Sequence, residues 1–207
     1  MKGAPIALAM TGASGAQYGL RLLEALVGAG RPVYVMFSKT AQVVVGSETD
    51  LALPGRVADI ERRLSEQFKA APGQIRVYGQ EEWTAPMASG SNAPAAMVVC
   101  PCSMATVASL AAGSSRTLIE RAGDVMLKER RPLIVVPRET PFSVIHLENL
   151  LRLARAGATV MPANPGFYNR PTTVEELVDF MVARILDHLG IEQKLMKRWG
   201  ESAADED

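Results

Sequence analysis

The sequence predicts a three-layer α/β sandwich built on a mostly parallel sheet. Three observations lead there. Apolar, β-branched runs of strand length alternate with helical periodicity along the whole chain. The first 37 residues carry a strand, a glycine turn, a helix and a second strand, the βαβ pattern that demands a parallel, right-handed crossover. The length of 207 residues suits one core, and no internal repeat or low-complexity linker divides it.

Taken in order, Ile6 to Met10 is a short apolar run that ends in Thr11-Gly12-Ala13-Ser14-Gly15. Leu20, Leu22, Leu23, Leu26 and Val27 then recur at helical spacing, and Gly28 and Gly30 stop that helix. Val33 to Phe37 is the second strand. Ala58 to Phe68 reads as a polar-faced helix and Ile75 to Tyr78 as a strand. Ala96 to Cys100 is a buried strand, followed by Pro101-Cys102-Ser103 and a helix from about Met104 to Ala112. Leu133 to Val136 is a strand closed by Pro137, Leu147 to Arg155 a helix, and Thr159 to Met161 a last short strand. Thr172-Thr173-Val174-Glu175-Glu176 is a helix start with a capping hydroxyl and first-turn acids. That helix runs to about Leu189 and closes at Gly190. Residues 1–200 are therefore read as one domain, with 201–207 as a loose acidic tail.

Composition excludes several function classes. Lys plus Arg and Asp plus Glu both number 22, so the formal net charge is zero and a general nucleic-acid or polybasic membrane-surface role is disfavoured. The tail ESAADED holds four acids and no base, which leaves a small excess of bases in the body. No charged residue lies between Trp83 and Ser115, and the Ala95–Ala112 part is apolar enough to raise a membrane question. Pro101 interrupts it and four hydroxyl or thiol residues dilute it, so a buried strand, turn and helix is the reading, partly covered by another subunit. The N-terminus lacks the length and cleavage pattern of a signal peptide, which points to the cytoplasm. Cys100 and Cys102 are too few for a disulfide framework or a metal set with the distant His146 and His188.

In an open α/β sheet, ligands bind outside the carboxyl ends of the strands. Those ends carry Gly12, Ala13, Ser14 and Gly15; Ser38, Lys39 and Thr40; Cys102, Ser103, Met104, Ala105 and Thr106; and Arg138 and Glu139. Small hydroxyls, helix N-termini and one fixed cation suit a phosphate. The turn is not G-x-G-x-x-G and no acid closes the second strand, so a mononucleotide fits better than NAD. Each piece also has a plainer reading. The glycines can form a simple tight turn, Ser38, Thr40 and Ser103 can cap helices, Glu48 can be a surface acid, and Arg184 can face solvent. Tyr168 can plug a turn-rich loop, and Trp199 can anchor the C-terminus.

T-G-A-S-G, F-S-K-T, P-C-S-M-A-T, V-P-R-E-T-P and N-P-G-F-Y, in that order from about Ile6 to Trp199, resemble the motifs of the UbiX flavin prenyltransferases. The resemblance implies a Rossmann-like (flavodoxin-like) flavoprotein, assembled as a homododecamer, that binds FMN without a metal. It implies that a dimethylallyl group from dimethylallyl phosphate is joined to N5 and C6 of reduced FMN. The prenylated FMN then serves UbiD-type decarboxylases in ubiquinone biosynthesis and related pathways. On the matching positions it puts Gly12, Ala13, Ser14, Ser38, Ser103, Met104, Ala105, Thr106 and Arg138 on FMN. Arg121, Lys128, Arg138, Glu139, Tyr168, Arg184 and Trp199 fall to the prenyl phosphate, Arg121 reaching it from a neighbouring subunit. Ser14 and Glu48 match positions of proton transfer, and Tyr168 and Glu139 belong with them among the catalytic candidates. Two rivals remain open: an FMN-dependent decarboxylase of the cysteine-decarboxylase type, and a non-catalytic flavin carrier.

Overall fold

The computed structural model describes residues 3–196. Six strands form one wholly parallel sheet: β1 (Ile6–Met10), β2 (Val33–Phe37), β3 (Ile75–Tyr78), β4 (Ala96–Cys102), β5 (Leu133–Pro137) and β6 (Thr159–Val160). Their spatial order is β3-β2-β1-β4-β5-β6, so the winding direction reverses between β1 and β4. That reversal opens a crevice at the carboxyl ends of these two strands, the place where doubly wound sheets bind ligands.

Seven helices cover the sheet: α1 (Ala16–Gly28), α2 (Lys39–Glu48), α3 (Val57–Gln67), α4 (Met104–Ala111), α5 (Leu118–Lys128), α6 (Val144–Arg155) and α7 (Val174–His188). Alternation along each strand sorts the side chains into two cores. Ile6, Leu8, Val35 and Val98 face Leu22, Leu26, Leu64, Met181 and Ile185, so α1, α3 and α7 lie on one side. Ala7, Ala9, Met97, Val99 and Val135 face Val107, Leu118, Met126 and Leu153, so α4, α5 and α6 lie on the other. The three layers predicted from sequence are present, and the uncharged stretch supplies β4, buried throughout, and α4.

Two boundaries differ from expectation. β4 continues through Pro101 to Cys102, because its register against β5 shifts after Val99, which spares Pro101 from donating a ladder hydrogen bond. α6 starts three residues early, where Ser143 and His146 form a reciprocal cap. No bounds were assigned to α5 from the sequence; Thr117 caps it, accepting from the Glu120 amide. Among the described residues no helix is long and apolar enough to cross a membrane.

Candidate active site

Four strand ends meet around the crevice and are stitched together by backbone and hydroxyl hydrogen bonds. The Ser38 amide donates to Met10 O at 3.0 Å, and the Thr11 amide to Pro101 O at 3.1 Å. The Ser103 amide donates to Thr11 Oγ1 at 2.7 Å. Arg138 Nε donates to Ser14 O at 3.0 Å, tying the end of β5 to the glycine turn. Gly12 is required here: a Cβ on it would stand 2.3 Å from Thr40 Oγ1, so only glycine lets the turn after β1 approach the start of α2.

The hydroxyls do cap helices. Ser38 Oγ accepts from the Ala41 amide at 3.0 Å and lies 3.0 Å from Thr40 Oγ1. Ser103 Oγ accepts from the Thr106 amide at 3.3 Å and lies 3.0 Å from Thr106 Oγ1. Capping and binding are compatible, because a capped helix still presents its N-terminal end, with its partial positive charge, to the crevice. Met104 and Ala105 open α4 behind Ser103, and Ala13 is buried at the turn. Gly12, Ala13, Ser14, Ser38, Ser103 to Thr106 and Arg138 thus gather at one crevice.

The N-terminus of α1 is used differently. Glu48, the last residue of α2, accepts from the Gly15 amide at 2.8 Å and the Ala16 amide at 2.9 Å through one carboxylate oxygen. Burial pushes its pKa up, but the Ser14 hydroxyl, these two amides and the Arg138 charge outweigh it. The net result is a carboxyl held below the ordinary glutamate range. Glu48 is therefore no idle surface acid. It neutralises the one helix end that the glycine turn leads into, so α2 and α4 are the ends open to an anion. Glu139 follows Arg138 at the same rim, with its Oε1 accepting from the Thr140 amide at 3.1 Å.

The remaining cations do not join this group within one chain. Lys128 ends α5 just before β5 begins, whereas Arg138 follows β5. A five-residue strand, about 16 Å long at the usual rise, runs between them, so they stand toward opposite ends of β5. Lys128 is paired with Glu129. Arg121 is engaged with Ala88 O at 3.0 Å and Asp124 at 2.9 Å on the outer face of α5. Arg184 lines a different cavity, of about 740 Å³, with Tyr168, Asp187, Ile191, Glu192 and Met196. Its guanidinium donates to Asp187 at 3.1 Å. The Tyr168 ring meets Phe180 edge-on at 5.6 Å and is 43% exposed, so it plugs its loop and yet lines that cavity. Trp199 and the acidic tail lie outside the described residues.

Cys100 and Cys102 are fully buried, and burial raises both thiol pKa values, which leaves them poor ligands and poor nucleophiles. Among the described residues no three His, Cys, Asp or Glu side chains cluster as a metal site would require. Thr11, whose buried hydroxyl links the turns after β1 and β4, was not singled out from the sequence, because its burial shows only in the fold.

The family model described as Flavoprotein matches residues 1–186. A curated flavin prenyltransferase UbiX from Pseudomonas aeruginosa is 60% identical over 95% of this chain and 94% of its own length. The chain belongs to the UbiX flavin prenyltransferase family. A UbiX relative from Halalkalibacterium halodurans is 45% identical over 93% of this chain and 91% of its own. Among solved structures, a UbiX protein in complex with FMN and dimethylallyl pyrophosphate superposes with a TM-score of 0.85. It is 37% identical and covers 97% of this chain and all of its own. An Escherichia coli structure, described as a dodecameric FMN-dependent UbiX-like decarboxylase, gives 0.84 at 37% identity, covering 95% of this chain and all of its own.

Proposed function

We propose that this protein is a flavin prenyltransferase, joining a dimethylallyl group from dimethylallyl phosphate to N5 and C6 of reduced FMN. The observation that carries the reading is the crevice between β1 and β4. It gathers hydroxyls, two capped helix N-termini and the Arg138 cation, with glycine where a Cβ would close it. That donor set fits a flavin mononucleotide, whose phosphate needs N–H and O–H donors and whose ring needs a small-residue wall. When bound, the reduced flavin supplies the nucleophilic nitrogen and carbon.

The chain's own residues do the rest. Breaking the allylic C–O bond leaves negative charge on the phosphate and positive charge on the prenyl carbon. Arg138, Arg184 and Lys128 are fixed cations suited to the first. The Tyr168 ring face suits the second, by about 1 to 2 kcal/mol of cation–π attraction. Ser14 and Glu48 touch one another at the mouth of the crevice, placing a hydroxyl and an ionised carboxylate where a proton can be held and passed on.

The cation groups lie on separate surfaces of one chain, so a complete site calls for several copies. We take the protein to act as a homododecamer in which Lys128, Arg121 and the Tyr168–Arg184 cavity are offered to a neighbour's crevice. Support comes from α6, which exposes Val144, Ile145, Leu147 and Leu151, between 50% and 70% each, as an apolar face without cover in one chain. The product would pass to a UbiD-type decarboxylase, and the working compartment would be the cytoplasm.

One structural relative is described as a decarboxylase, so the two chemistries need separating. The protein is incubated anaerobically with reduced FMN and dimethylallyl phosphate, and the flavin is weighed by mass spectrometry. A gain of one C5 unit is expected. An unchanged flavin, with carbon dioxide released from a carboxylate substrate, would favour the decarboxylase, and an unchanged flavin with no turnover the carrier.

A further inference from the structure

The reversal point of the sheet places the turn after β1 and the turn after β4 on opposite sides of the ligand crevice, and one side chain spans it. Thr11 is 1% exposed. Its hydroxyl donates to Pro101 O at 3.0 Å and accepts from the Ser103 amide at 2.7 Å. Its own amide also donates to Pro101 O, at 3.1 Å. Three hydrogen bonds thus lock the last residue before Gly12-Ala13-Ser14 onto the residues that open Ser103-Met104-Ala105-Thr106. No other side chain among the described residues forms hydrogen bonds linking these two turns.

We propose that Thr11 is a positioning residue: its hydroxyl pre-assembles the two halves of the flavin crevice, so that FMN meets a formed site. The inference rests on assigning residues 12–14 and 103–106 to FMN. The hydroxyl is needed for both of its partners at once. Pro101 O requires a donor and the Ser103 amide an acceptor, and only a hydroxyl is both. Valine matches threonine in shape and supplies neither, leaving a buried amide and a buried carbonyl with one partner fewer. The two turns then populate separated arrangements. A ligand that needs them together binds more weakly in proportion to the fraction still assembled. Serine keeps the hydroxyl and gives up only a methyl group.

The test compares FMN dissociation constants, from quenching of flavin fluorescence, for the unsubstituted protein, Thr11→Val and Thr11→Ser. A control, Leu64→Ala, empties part of the core under α3, far from the crevice. Thr11→Val is expected to bind FMN at least about tenfold more weakly, equivalent to about 1.4 kcal/mol. Thr11→Ser should stay within about threefold of the parent, and Leu64→Ala should lower thermal stability without changing affinity. Equal affinity in Thr11→Val overturns the proposal. So does tighter binding, which would mean that the Ser103 amide serves the flavin once released. Failure of the unsubstituted protein to bind FMN would instead refute the flavin assignment itself.

Should Thr11→Val not fold, amide exchange at Ser103 in the flavin-free parent decides. The proposal expects slowing of about a hundredfold or more over an exposed loop amide such as Ser91. Exchange as fast as Ser91 overturns it.

Discussion

Replacing Glu48 by alanine removes the acceptor of the first two amides of α1, at 2.8 and 2.9 Å, and the partner of the Ser14 hydroxyl. Loss of a helix N-cap costs about 0.5 to 2 kcal/mol, and hydrogen bonds to charged groups contribute about 1.5 to 3 kcal/mol each. The site is only partly buried, so water can replace some of what is lost. A total of about 2 kcal/mol follows for Glu48→Ala, and about 1 kcal/mol for Glu48→Gln, which keeps an acceptor oxygen but loses the charge facing the helix dipole. In a domain of this size about 2 kcal/mol lowers Tm by roughly 4 to 8 °C. The pH dependence has a definite sign. The folded-state pKa of Glu48 is depressed, so its contribution is complete above the unfolded value of about 4.3 and fades as pH falls through the folded value. Thermal melts of parent and variant at equal protein concentration, at neutral pH and stepwise below pH 4.3, should show the gap closing in acid. A Glu48→Ala protein within about 0.5 kcal/mol of the parent at neutral pH would refute the capping role. So would a gap that does not close as the pH falls.

Tyr168→Phe and Arg184→Ala should retain FMN, since neither residue lines the crevice, yet lose most prenyl transfer; turnover at parental rate would remove the phosphate role of their cavity. Leu147→Asp with Leu151→Asp, both on the exposed face of α6, should yield a smaller species by light scattering with unchanged circular dichroism; a dodecamer surviving both changes would clear that face of any role in assembly. The native protein should resist thiol alkylation until unfolded, because Cys100 and Cys102 are fully buried with raised pKa values; rapid labelling of the native state would contradict this.

Local signals in the chain were sufficient for most elements. Short apolar, β-branched runs marked β1 to β5, and Thr173 with Glu176 announced α7, whose reciprocal cap is present. No bounds were assigned to α5 from the sequence, although Leu118, Ile119, Ala122, Val125 and Met126 recur at helical spacing and are buried. The residues gathered at the crevice were readable because strand ends converge by topology alone. The contact of Glu48 with the α1 N-terminus was not, since its partners lie more than 30 positions away and pairing depends on how α2 leaves β2. Lys128 ends the helix that leads into β5 and Arg138 follows β5, so the two stand toward opposite ends of that strand.

The sharing of sites between copies is directly measurable. Arg138→Ala and Arg184→Ala proteins are dissociated, mixed, reassembled and supplied with reduced FMN and dimethylallyl phosphate, and the flavin is weighed. Each variant alone should leave the flavin unchanged, while the mixture should add one C5 unit, an intact crevice from one copy meeting an intact Arg184 cavity from another. A mixture as inert as its parts, when the unsubstituted protein adds the C5 unit under the same treatment, would contradict a prenyl-transfer site assembled between copies.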